Sequence, residues 1–183
     1  LGIADIYGDR ELHIAASVKN IKAVKELLER GVNINAVNND GQSPLHIAIG
    51  EKKSTLTRIL LSEGAKIDIA DRDGDKPLHT AAFYKNDKAA KDLLDLGADI
   101  NSTNKEGKTA LHIAIRKDNS IFTRMLFEQG AILSATDIFG NRPLHIAARF
   151  GNIEAARYLI GNGSVIDAVN EQGNTALHIA ISK

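Results

Sequence analysis

The chain has no cysteine among its 183 residues. Disulfides, zinc thiolate sites and cysteine nucleophiles are thereby excluded, while the redox compartment stays open. Tryptophan is also absent, and five Phe and three Tyr are the only aromatics. With so few rings, one placed outside a core stands out. Neither sign of charge dominates, because 23 Lys and Arg balance 23 Asp and Glu. No overall field draws a nucleic acid or an acidic membrane, so no nucleic-acid partner is expected. No apolar run approaches the roughly 18 residues of a membrane span, so no membrane insertion is expected. No signal peptide is visible, and the default compartment is the cytoplasm; the start at Leu1 rather than Met is compatible with a cleaved or truncated leader.

Prolines number only three, and all three sit in one recurring stretch. Its fullest form is Ser43-Pro44-Leu45-His46-Ile47-Ala48-Ile49. Variants begin at Arg10, Lys76, Thr109, Arg142 and Thr175, and every histidine of the chain falls in one copy: His13, His46, His79, His112, His145 and His178, each 33 residues after the last. A strict period of this length marks a stacked array that grows by units rather than around one centre.

Each unit follows one plan. A glycine opens it (Gly8, Gly41, Gly74, Gly107, Gly140, Gly173), as expected of a turn with positive φ. Ser43, Thr109 and Thr175 stand where a helix N-cap belongs, and Pro44, Pro77 and Pro143 at first helical positions, where a missing N–H costs nothing. A short apolar helix, a polar break and a second helix follow, the last ending at Gly31, Gly64, Gly97, Gly130 or Gly163 as a left-handed cap. Helices of about eight to ten residues are marginal alone, so their leucines must be buried between neighbouring units.

The pattern G-x-[ST]-P-L-H-x-A…L-L-x-x-G-A resembles ankyrin repeats. The resemblance covers nearly the whole chain. It implies an all-α repeat solenoid of stacked helix-turn-helix units with projecting β-hairpin loops, and a concave face lined by hairpins and first helices. The array is expected to be a single domain, 1–183, with a partial unit at 1–7, repeats at 8–38, 39–71, 72–104, 105–137 and 138–170, and a partial unit at 171–183. The resemblance further implies that the repeated His hydrogen-bonds within and between loops. Arg10, Lys76 and Arg142, standing where the family has Thr, put part of that bonding in question.

A second period of two units is superimposed. Ala16, Ala82 and Ala148 end the stretch in odd units, Ile49, Ile115 and Ile181 in even ones; Ala23, Ala89 and Ala155 likewise alternate with Leu56 and Phe122. Small layers alternating with large ones would let each bulky residue fill space its neighbour leaves.

No catalytic, cofactor or metal site is expected. Stacked helices lie roughly 8–10 Å apart, so the histidines form a ladder and cannot share a zinc ion. Gly41-Gln42-Ser43-Pro44-Leu45 lacks the second glycine of a nucleophile elbow. Asp71-Arg72-Asp73-Gly74-Asp75 lacks the bidentate Glu of a calcium loop, with Ala82 in its place, and reads as a solvated acidic hairpin. Nothing pairs a nucleophile with a base.

Binding positions in a repeat protein are those that vary. Four of the eight aromatics, Phe83, Tyr84, Phe139 and Phe150, occupy variable positions after the recurring stretch or at hairpin tips. With Arg116, Lys117, Ile138 and Arg149 they form the expected partner-binding set, since aromatics and Arg are the usual interface anchors. The competing reading is that Phe83 and Phe150 merely cover helix ends and that Tyr84 is ordinary surface. Phe122, Phe127 and Tyr158 fall on second helices and read as packing residues. The expected function is a non-catalytic scaffold binding a protein or peptide on its concave face. The alternative is a structural or positioning segment of a larger enzyme, channel or secreted effector, for which the missing polar end caps speak. The chain is expected to be monomeric unless its open ends stack.

Overall fold

The computed structural model describes residues 4–182. Leu1 to Ile3 of the opening partial unit, and Lys183 at the end of the sixth, lie outside the described residues. Two compact units divide the chain, Leu1–Ala98 and Asp99–Lys183. The first holds α1 (Glu11–Ser17), α2 (Ile21–Glu29), α3 (Pro44–Gly50), α4 (Ser54–Ser62), α5 (Pro77–Phe83) and α6 (Asp87–Asp95). The second holds α7 (Ala110–Arg116), α8 (Ser120–Glu128), α9 (Pro143–Phe150), α10 (Ile153–Gly161) and α11 (Ala176–Ile181). Helices alternate short and longer, and each short helix packs on the longer one that follows and on the next short one in its unit.

Within each unit the recurring leucines are the core. Leu12, Leu45, Leu78, Leu60 and Leu93 are buried in the first, and Leu111, Leu144, Leu126 and Leu159 in the second. Full burial of one such side chain stabilises by roughly 1.5–3 kcal/mol, and helices of six to nine residues need that contribution. The alternation of layer size is physical. Ile49 and Leu56 are wholly buried in the first unit, where α3 and α4 meet α5 and α6 with Ala82 and Ala89; Ile115 and Phe122 do the same against α9 and α10.

The loops between repeats are tighter than ladders of strands. No residue among those described is in a strand. Each loop closes with two backbone bonds, as in Asn38 N–H to the Gln42 carbonyl and Gly41 N–H to the Asn38 carbonyl, both 3.0 Å. A single bond then joins successive loops within a unit, such as Arg72 N–H to the Asp40 carbonyl (2.7 Å) or Ile138 N–H to the Glu106 carbonyl (2.9 Å). One such bond per neighbour is too few to build a strand. Gly41 shows why glycine opens each repeat: its φ is 74°, and a Cβ there would stand 2.9 Å from the Arg72 nitrogen.

Candidate functional site

The histidines are scaffold. In all six copies the Nδ1 accepts the backbone N–H three residues earlier, at 3.1–3.2 Å. This leaves Nε2 as the protonated nitrogen, and it donates to the next loop: His13 to the Gln42 carbonyl at 2.9 Å, His46 to Asp75 at 3.2 Å, His112 to Asn141 at 3.2 Å. His145 reaches both Ala168 and Asn174, at 3.0 and 3.1 Å. Because the Nδ1 bond uses the backbone, Arg10, Lys76 and Arg142 do not break it. What odd repeats lose is only the hydroxyl bond that Ser43, Thr109 and Thr175 make to Nδ1 at 2.8–2.9 Å. Capping is also narrower than the sequence implies. Ser43 and Thr175 accept from the third helical N–H, at 3.5 and 3.3 Å; Thr109 makes no such cap.

Burial lowers the pKa of His46 and of His112 below the ordinary histidine value, partly opposed by carbonyl bonds and by the nearby Asp71 and Asp137 carboxylates. Both rings are held neutral in the fold.

A fixed acceptor missed by sequence reasoning opens every loop. Asp5, Asn38, Asp71, Asn104, Asp137 and Asn170 each turn Oδ1 toward the N–H groups two and four residues on, at 2.8–3.1 Å. Asp alternates with Asn, in step with a cation or a hydroxyl five residues later. The signal was present at the same 33-residue spacing. It also gives Asp71 a structural duty in the loop that faintly resembles a calcium site. A second missed residue is the Asn before the longer helix. Asn86 caps α6 through Ala89 N–H (3.1 Å) and donates to the Ile49 carbonyl (2.9 Å). Asn152 does the same through Ala155 N–H (2.9 Å) and the Ile115 carbonyl (3.2 Å).

The expected partner-binding residues fall in both units and are described separately. In the first, Phe83 and Tyr84 are 42% and 45% exposed and meet edge to face at 5.1 Å. Tyr84 lies over Gly50, where an added Cβ would stand 3.3 Å from the ring. In the second, Arg116 sits 5.8 Å above the Phe150 ring, a cation–π arrangement. Phe150 and Phe139 are each 47% exposed and Ile138 51%. Arg149 is exposed and Lys117 half-buried. Ile138 and Phe139 form a loop tip whose backbone bonds to Glu106 and Glu171. The pairs Gly50–Tyr84 and Arg116–Phe150 occupy equivalent positions 66 residues apart. In each, a ring at the end of one short helix reaches back over the last residue of the preceding short helix. The rings therefore cover helix ends and still present about half their surface. Phe122 is wholly buried, while Phe127 and Tyr158 stack at 4.2 Å on the second helices.

The break between helices holds a further regularity. Lys19, Lys52, Lys85 and Asp118 have φ of 58°, 53°, 54° and 52°. A side chain in this left-handed conformation costs roughly 1–2 kcal/mol relative to glycine, which the fifth repeat avoids with Gly151 at φ 67°. Lysine carries no sequence signal for positive φ, so this was not legible beforehand. The exposed side of α1 and α2 forms an open groove of about 400 Å³, lined in part by Ile14, Val18, Ala23 and Leu27. The same side of α5 and α6 is covered by α3 and α4.

A family model of three ankyrin repeats matches residues 12–104 and 126–183, and a single-repeat model matches 106–138. No curated protein matches the sequence significantly. Repeats of this kind are general protein–protein interaction modules, and with the repeated helix pairs, the histidine-tied loops and the buried leucine ladder of each unit, the matches make this chain a member of the ankyrin repeat family.

Proposed function

We propose that the chain is a non-catalytic scaffold that holds a protein or peptide on the side lined by short-helix ends and loop tips. The observation that carries this reading is the placement of rings and cations. Phe83 and Tyr84 in the first unit, and Arg116, Lys117, Ile138, Phe139, Arg149 and Phe150 in the second, cluster on the variable short-helix ends and loop tips while the leucine layers are filled without them. Half-exposed aromatics beside Arg are the usual anchors of protein interfaces. Absence of catalysis is supported by the histidines: in His13, His46, His112 and His145 both ring nitrogens are engaged by the backbone, which leaves no ready base. The test is partner capture by the intact protein and by a triple Phe83, Tyr84, Phe150→Ala variant. The variant keeps its helical circular dichroism and loses the partner; a folded variant that still binds removes the proposal.

A further inference from the structure

In the first unit, each break between a short and a long helix carries a lysine at the left-handed position: Lys19, Lys52 and Lys85. All three are exposed. Glycine also fits this position, as Gly151 shows in the fifth repeat. A cation just past the C-terminal end of a helix is also favoured by the macrodipole, and at α3 the cap itself is Glu51, of the opposite sign. Glu51 is in turn engaged by Lys53, at 3.9 Å.

The row has a fixed geometry. Asn86 bonds the Ile49 carbonyl at 2.9 Å and so ties the Lys85 turn to the end of α3, while Tyr84 packs over Gly50 beside it. Neighbouring helix pairs lie roughly 8–10 Å apart. An extended chain in the polyproline II conformation has three residues per turn and advances about 3.1 Å per residue, so every third residue of such a chain lies on one side and meets the next lysine.

We propose that the lysine row of the first unit recognises an extended acidic protein segment with a carboxylate at every third residue, seated against Tyr84 and Phe83. This rests on the interaction reading above and names the chemistry of the partner.

The test uses the intact chain and fluorescent synthetic peptides, read by anisotropy at low and raised salt. One peptide repeats Glu-Ser-Gly, one repeats Lys-Ser-Gly, and one has the same glutamates in a single block; oligo-thymidylate is the fourth probe. The spaced acidic peptide binds at least tenfold tighter than the other three, and raised salt weakens it. A Lys19→Gly, Lys52→Gly, Lys85→Gly variant relieves the backbone, stays folded and loses at least tenfold. Equal binding of acidic and basic peptides, tighter binding of the block or of oligo-thymidylate, or an unaffected lysine variant overturns the proposal. If those results come while the aromatic triple variant still loses its partner, the charge assignment falls and the interaction reading stands.

Discussion

The long helices α4 and α8 share the frame Ser-x-x-Thr-Arg, at Ser54 to Arg58 and Ser120 to Arg124, and use it differently. In α4, Thr57 donates to the Lys53 carbonyl at 3.1 Å, and Arg58 forks onto Asp92 at 3.0 and 3.5 Å. In α8, the Thr123 hydroxyl is buried without a partner. Tyr158 stands where Asp92 would be and stacks on Phe127. The short-helix ends repeat the lesson, with Tyr84 over bare Gly50 in one unit and Phe150 under Arg116 in the other. At the short-helix ends the positions that touch are retained at 66-residue spacing and the chemistry of the touch is exchanged. On the long helices the partner itself shifts, from Arg58 for Asp92 to Phe127, three positions further along, for Tyr158.

That comparison is breakable, first in the cores. Leu78 and Leu111 are equally buried, so Leu78→Ala and Leu111→Ala should each cost about 2–5 kcal/mol in urea denaturation. A loss below about half a kcal/mol at both sites contradicts the stacked core, and a large difference between them contradicts the equivalence of the two units. Next is layer size. Ala82 is wholly buried beside the Ile49 layer, so Ala82→Ile should overpack it and cost about 1–3 kcal/mol; a stabilised variant would mean the alternation of small and large layers carries no packing role. The two threonines should then differ in sign. Thr57→Val loses a bond and costs about 1 kcal/mol, whereas Thr123→Val removes an unsatisfied hydroxyl and is neutral or stabilising. Equal effects would make the contrast between α4 and α8 incidental.

The smallest effect is with pH, and the units should agree. His46 and His112 have folded-state pKa values below the ordinary histidine value near 6.5. The unfolded chain therefore takes up protons first as pH falls. Their contribution is fully present above the unfolded value of about 6.5 and is lost as pH falls from there through the lower folded-state pKa. Nuclear magnetic resonance titration should put both midpoints below the ordinary value; a raised midpoint at either ring contradicts the buried neutral assignment.

Much of the scaffold was legible because its signals are categorical. Glycine at a positive φ, proline at a first helical position and leucine at fixed spacing each exclude alternatives, and six copies remove ambiguity. What stayed hidden depends on conformation rather than residue type. An Asp or Asn that closes a loop looks like any polar loop residue until its two N–H partners are seen. Asn86 and Asn152 are caps that also bridge to the preceding repeat, and only the second bond explains why they are buried. The left-handed lysines are invisible for the same reason. For the surface, the sequence pointed to rings and cations but not to the pairing of Arg116 with Phe150 or of Tyr84 with Gly50, because those contacts join residues 34 apart on different repeats.

The central claim is that a partner engages the short-helix ends and loop tips, and hydrogen exchange of the intact protein with and without its captured partner tests it most directly. The account predicts new protection at Phe83 to Lys85, Arg116 to Asp118, Ile138 and Phe139, and Arg149 to Gly151, with α4, α6, α8 and α10 unchanged. Protection confined to those four long helices, with the short-helix ends exchanging as before, would contradict it.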